Sequence, residues 1–318
     1  MYQMIGIVLR RLGISIVTLW IVTLIVFTGT ELLPGDVAEA LLGQSATPET
    51  VAALRTQLGL DRPPAVRYVD WLKGFTIGDF GVSLSSGSPI SDIIRDRLGN
   101  TLLLAAITAA VSVPTAIVLG LLAAMYPGSL FDRMVSVVTL YLVAVPEFLT
   151  GSLLVMLFSV YLGWLPAISY ITEYNSLGKL VASMAMPVLT LAFTITAQMA
   201  RMTRATILNI LDSPYIEMAL LKGASRSRII FRHALVNVIG PVANVVALNM
   251  TFLIGGVVIV ETIFAYPGLA KLIVDAVSSR DFPVVQSCAL IFCIAYVIFM
   301  LLADIVAIVS NPRLWHPK

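Results

Sequence analysis

Six stretches of this chain run on without charge for long enough to cross a membrane. They are residues 12–30, 101–131, 134–146 continued by 148–172, 180–200, 234–260 and 282–303. A helix rises about 1.5 Å per residue, so about 20 apolar residues cross the ~30 Å of hydrocarbon in a bilayer. Inside that layer the backbone must satisfy its own hydrogen bonds, which a helix does within one segment. The expected fold is therefore an all-α polytopic membrane protein with six transmembrane helices. Only 12% of the residues are charged and 58% are hydrophobic, whereas a soluble domain carries about 25% charged residues. The third run is interrupted only by Glu147 and reads as one span followed by a loop containing GWLPAISY.

Arg10 and Arg11 precede the first run, and ELLPGD follows it without a small-residue cleavage site. That pattern reads as an uncleaved first span, residues 1–33. With the N-terminus inside, eleven Lys and Arg fall on the inner side (Arg10, Arg11, Arg133, Arg201, Arg204, Lys222, Arg226, Arg228, Arg232, Arg313, Lys318), against Lys179, Lys271 and Arg280 in short outer loops. The positive-inside rule then places both termini in the cytoplasm.

The first loop, 34–100, is too long for a connector. Thr47 can cap a helix with Pro48 at its first position, Val51, Leu54 and Leu58 recur at helical spacing, and Gly59 closes it. Turn-forming glycines follow, then a second amphipathic helix near 90–98. An extracytoplasmic cap is expected there. Residues 101–318 then form a five-helix transmembrane core.

A basic island, 212–241, separates the fourth and fifth spans: DSPYIEMALLKGASRSRIIFRHALVNVIGP. Lys222, Arg226, Arg228 and Arg232 would each cost roughly 2.5–3.5 kcal/mol at a membrane centre. Ser213 can cap a short helix with Pro214 at its first position, Glu217 suits the first turn, and Gly223 suits a left-handed end. A second helix would start near Arg226. Ile216, Ala219 and Leu220 can form a small apolar ridge. The segment reads as a handle for another protein or, more simply, as a basic loop obeying the positive-inside rule.

No phosphate-binding G-x-x-x-x-G-K-[ST] occurs, and the two histidines, His233 and His316, form no legible catalytic arrangement. Cys288 and Cys293 share one apolar run and have no metal-ligand spacing. No cofactor is expected in this chain, and it is not expected to be an enzyme. Three carboxylates fall in or near spans, where such groups are rare and usually face a cavity or a partner. Glu147, after Pro146, fits a water-filled path or a membrane interface. Glu261 can hold the following segment through backbone N–H groups. Asp304 reads as solvated or as pairing helices. Residues 263–283 are too short and polar to span; YPG turns into an amphipathic helix with Leu269, Leu272 and Ile273. In the fifth run, Asn244, Asn249 and the Gly255–Gly256 pair fit either pore lining or close helix packing.

Several motifs occur in order: LRRLGISIVTLWIVTLIVF with LLPGD, TPETVAALRTQLGLDRP, GDFGVSLSSGSPISDIIRDRLGNTL, PGSLFDR, LGWLPA, RMTRATILNIL and VVIVETIFAYPGLAKLIVDAVSSRDFPVVQ. With the island, they make the chain resemble the inner-membrane permeases of peptide-type ABC importers, which take up dipeptides, oligopeptides, glutathione or nickel. The resemblance implies that EMALLKG docks an ATPase subunit, with Glu217, Ala219 and Gly223 in the docking motif; Tyr215, Lys222 and Arg226 are further candidates for that surface. Met218 departs from the general importer pattern, and Val236 stands where that pattern has proline. Pro241, eighteen residues past Gly223, is where the peptide branch places it. The resemblance also makes 263–283 the outer gate flank. Glu147, Asn249, Glu261, Tyr266 and Pro267 are the candidate path or gate residues, and at 147 the family more often has a small hydroxyl residue, so the resemblance does not supply that carboxylate's role.

The implied partners are a second homologous permease, two ATPase subunits that bind ATP and Mg, an extracytoplasmic binding protein and membrane lipid, with no nucleic acid. The implied location is the bacterial inner membrane. An ATP-independent secondary transporter or channel is the alternative; it would need charged relays inside several spans. A membrane-embedded protease would need a nucleophile and base at membrane depth.

Overall fold

Helices account for nearly all the regular structure because the long apolar runs have no other way to satisfy their backbones. The computed structural model describes residues 2–32, 37–169, 176–223 and 235–310, and among these the only β pairing is an isolated bridge, Val82 with Pro89. Five helices contain segments long and apolar enough to cross a membrane: α1 (Tyr2–Glu31), α5 (Ile90–Met125), α8 (Leu177–Leu211), α10 (Leu235–Ile263) and α12 (Phe282–Ser310). The third run departs from a straight span. It forms α6 (Leu130–Ala144) and α7 (Glu147–Leu154), bent by 100°, with α7 continued by π-helical turns over Val155–Tyr161. Val145 and Pro146 are extended at the break, because Pro146 has no N–H to continue the ladder and biases its predecessor away from helix.

Two other boundaries differ from expectation. The amphipathic helix near 90–98 is the beginning of α5, which continues through Gly99 without a break. That helix ends at Met125, since Pro127 and the left-handed Gly128 (φ 78°) turn the chain before Ser129 caps α6.

The chain divides into two compact units. Ser15–Leu102 and Pro267–Ala295 make one. Here, after the short α2 (Val37–Leu42), α3 (Pro48–Gln57) starts as expected, with Thr47 and Thr50 in a reciprocal capping box. Its half-buried positions include Val51 and Leu54, and Gly59 follows with φ 68°. Helix α4 (Pro64–Ile77), not anticipated, packs Tyr68 and Trp71 against Phe27 at 5.4 and 6.1 Å between ring centres. Gly74 lies inside α4 because a Cβ there would stand 2.8 Å from the Asp79 carbonyl oxygen. Arg67 holds Glu31 with two hydrogen bonds, 2.7 and 2.6 Å. Helix α11 (Leu269–Ser278) buries Leu269 against Ile90, Ile94, Val284 and Cys288, with Leu272 and Ile273 beside them, so the expected amphipathic face exists.

Met1–Ile14, Leu103–Tyr266 and Tyr296–Lys318 make the other unit. Its centre is the antiparallel contact of α8 with α10, flanked by α6 and α7. Gly120 of α5 sits where a Cβ would lie 2.8 Å from both the Ala200 carbonyl oxygen and Thr203 Cβ, so only glycine allows that approach. Arg11 pairs with Asp304, the helix-pairing alternative for that acid.

Candidate functional site

Helix α9 (Pro214–Leu221) forms directly after α8. Its start differs in detail from expectation. The Ser213 hydroxyl donates back to the Ile210 carbonyl at 2.5 Å, while the Ser213 carbonyl accepts from Ile216 and Glu217. Proline at the first position needs no donor, so the turn closes through backbone bonds. Gly223 has φ 79°, the left-handed end expected of it, with no atom within 4 Å of a Cβ placed there. Ile216 is buried against the chain's own body, so it anchors α9 and cannot belong to an apolar ridge offered to a partner. Glu217, Met218, Leu221, Lys222 and Gly223 are exposed. Tyr215 and Ala219 lie on the same short helix. Arg226, and with it the second helix expected from that point, lies outside the described residues, as do Arg228, Arg232 and His233.

The α8–α10 seam carries the next group. Asn249 is fully buried, donates to the Val245 carbonyl at 2.8 Å and approaches Met202 Sδ at 3.6 Å. Its Oδ1 is buried without a partner among the described residues. Seven residues on, Gly256 faces the first residue of α7. A Cβ at Gly256 would stand 2.9 and 3.0 Å from the two Glu147 carboxylate oxygens and 3.0 Å from Leu191 Cδ2. Glu147 is therefore seated in a notch made by a glycine, half-buried where the chain bends.

Glu261, Tyr266 and Pro267 occupy the end of α10 and the following corner. Glu261 and Tyr266 are fully buried, and the Tyr266 N–H donates to the Glu261 carbonyl at 2.9 Å. Phe264, also buried, accepts from the Ser169 N–H at 2.9 Å. The Pro267 carbonyl accepts from the Asn100 side-chain amide at 2.8 Å, and the Leu269 N–H donates to Thr101 Oγ1 at 2.8 Å. The 263–283 segment is thus fastened at its beginning by side chains from the start of α5.

Three arrangements escape sequence reasoning because they join distant residues. Asp132, buried, accepts from Arg204 Nε and Nη2 at 2.5 and 2.8 Å and from the Gly128 N–H at 2.9 Å. This fork ties the PGSLFDR turn to α8, ten residues before α9. The only local signal is the S-x-x-D spacing of Ser129 and Asp132, a capping pattern. Asp281, 1% exposed, accepts from the Ser83 and Ser85 hydroxyls at 2.5 and 2.9 Å and from the Leu84 and Ser85 N–H groups at 3.1 and 3.2 Å. A serine-rich turn thereby wraps a carboxylate nearly 200 residues away. The third is the Gly256 notch.

Comparison with known proteins gives the family. Residues 116–316 match the family described as binding-protein-dependent transport system inner membrane component, and residues 4–105 match the N-terminal region described for such membrane components. A putative peptide transport system permease protein of Brucella suis is 37% identical over 98% of this chain and 100% of its own length. A probable peptide ABC transporter permease of Sinorhizobium fredii is 34% identical over 96% of this chain and 98% of its own. The glutathione transport system permease protein GsiC of Escherichia coli is 34% identical over 98% and 99%. Matched along nearly its whole length, and with the apolar helices such a protein needs, the chain belongs to the binding-protein-dependent transport system inner membrane component family and is a multi-pass inner-membrane permease of an ABC importer.

Proposed function

We propose that this permease translocates peptides, or a peptide-like solute such as glutathione, handed to it by an extracytoplasmic binding protein. It pairs with a second, homologous permease around a central path. Two ATPase subunits, which bind the ATP and Mg, dock on the cytoplasmic face, one on each permease. Both termini and α9 are cytoplasmic, and the 34–100 loop is extracytoplasmic. The docking surface comprises Tyr215, Glu217, Ala219, Lys222, Gly223 and Arg226. Glu147, Asn249, Glu261, Tyr266 and Pro267 line the path or its gate.

One observation carries the reading: α9 is anchored by Ile216 yet exposes Glu217, Met218, Leu221 and Lys222 at a glycine end. A short helix held on one side and bare on the other suits insertion into a groove. Attached through α8 and braced by the Asp132–Arg204 fork, it can carry movement of the ATPases into the spans. ATP binding then favours an outward-open population and hydrolysis resets it. Family membership supports an ATP-driven system over an ATP-independent transporter.

The test is purification from the native membrane followed by reconstitution with the binding protein. Recovery of two ATPases and a second permease, with ATP-dependent uptake of di- or tripeptides, is expected. A homo-oligomer with flux independent of ATP would overturn the proposal.

A further inference from the structure

We infer that Glu147 is a receptor for an alkylammonium group, the chemistry of a peptide N-terminus or a lysine side chain, on its way through the permease. The inference rests on the proposal that Glu147 faces the translocation path and adds what the path recognises there.

Three observations converge. The carboxylate is half-buried at the 100° break between α6 and α7, inside a segment apolar enough to be a span. Gly256 on the opposed helix provides the space, since any Cβ there would press on both carboxylate oxygens. Its neighbour Gly255 has nothing within 4 Å, so the pair does not serve one common packing contact. Finally, among the described residues Glu147 has no ion pair, whereas Glu31, Asp132 and Asp304 each hold an arginine. The structure makes room for this carboxylate and, among the described residues, leaves it without a counter-ion.

Electrostatics favours a ligand over simple tolerance. Carboxylates within membrane spans are costly and usually face a cavity or a partner, and the helix N-terminus on which Glu147 sits offsets only part of that cost. An entering cation offsets more of it. One carboxylate cannot complete the six to eight oxygen ligands that Ca²⁺ takes, nor the octahedron of Mg²⁺. No group of three metal-ligating side chains occurs among the described residues. A primary ammonium has three N–H donors; the carboxylate takes one or two of them and water can take the rest, while the Leu191 methyl beside it suits the attached carbon.

The test uses the full importer in proteoliposomes and a hydrophobic carbodiimide, with the N-acylurea and the n-butylamide of Glu147 both counted as modification by mass spectrometry. Glu147→Gln identifies the signal by removing it. n-Butylammonium should lower modification at least fivefold, while n-butanol at the same concentration should not. Gly256→Ala, whose methyl would stand 2.9 and 3.0 Å from the carboxylate oxygens and 3.0 Å from Leu191 Cδ2, should weaken that protection. Equal protection by both probes, no protection, or a carboxylate unreactive before any probe is added would each overturn the inference. Uptake of trialanine by the Glu147→Gln importer separates the two layers. Lowered uptake without selective protection removes the ammonium receptor and leaves the path assignment standing. Selective protection with wild-type uptake removes the path assignment, and the receptor in the path with it.

Discussion

Gly255 and Gly256 are adjacent and identical, yet only one has work that its lack of a side chain performs. Gly255 is exposed with open space around it, whereas Gly256 abuts Glu147 and Leu191. Gly255→Ala should therefore leave the thermal transition of the detergent-solubilised protein unchanged or raise it slightly, since alanine favours a helix over glycine by about 0.5–1 kcal/mol. Gly120→Val should lower it, because its Cβ would meet the Ala200 backbone and overpacking costs about 1–3 kcal/mol. A Gly120→Val protein as stable as the parent would show that α5 and α8 are not in such contact. Asp281 has a different sensitivity. Asp281→Ala strips four donors of their acceptor, at about 1–3 kcal/mol for each buried group left unpaired. The 79–89 turn should become the first site cut in limited proteolysis, and an unchanged cleavage pattern would show the clasp to be dispensable. Sequence spacing could mark these glycines and serines as unusual. It could not say what each faces, because that depends on helices far away in the chain.

At the scale of elements, what was legible was what is local. The apolar runs, the Thr47 cap and the left-handed glycines at 59 and 223 follow from neighbouring residues. The bend after Ala144 is signalled by Pro146 but not dictated by it, since a helix can carry a proline: α5, α8 and α10 hold Pro114, Pro187 and Pro241 inside. Helix α4 was missed because GFTIG reads as turn, while the aromatic contacts of Tyr68 and Trp71 with Phe27 override that weak preference. For α9 the local reading found the element but misassigned Ile216, whose burial depends on tertiary contacts.

The same element invites two measurements. Gly223→Arg places a bulky cation and a strained left-handed residue at the exposed end, so ATPase copurification should be lost while insertion persists. Gly223→Asn, which tolerates that conformation, should keep most of it. Equal recovery with Arg would refute the lever. In the brace behind α9, Asp132→Asn and Arg204→Gln should each destabilise, by at most about 3–5 kcal/mol for a buried pair with one partner removed. Arg204 is 29% exposed, which reduces the cost. The double variant should be little worse than either single, because the two residues act as one unit. Additive losses would show the fork contributes no shared term.

For the whole molecule, the side that each loop occupies decides whether α9 can meet a cytoplasmic ATPase. In the proposed six-span topology eleven Lys and Arg would lie on one side and three in the short loops of the other, and retention of such charges in the cytoplasm sets topology. Six more, Arg55, Arg62, Arg67, Lys73, Arg95 and Arg97, fall in the long 34–100 loop, but long segments translocate largely regardless of charge. Two side chains report the outcome cleanly, Ile77 at 80% exposure and Leu221 at 76%. With Cys288 and Cys293 first replaced by Ser, Ile77→Cys should react with a membrane-impermeant maleimide in intact spheroplasts. Leu221→Cys should react only in inside-out vesicles, and less when the ATPase subunits are present, because α9 is then covered. Labelling of both positions from the same side would overturn the six-span topology. Labelling of Leu221→Cys from outside would remove α9 from the ATPase altogether. Opposite-sided labelling without protection by the ATPases would leave the topology standing and place the docking surface elsewhere on the cytoplasmic face.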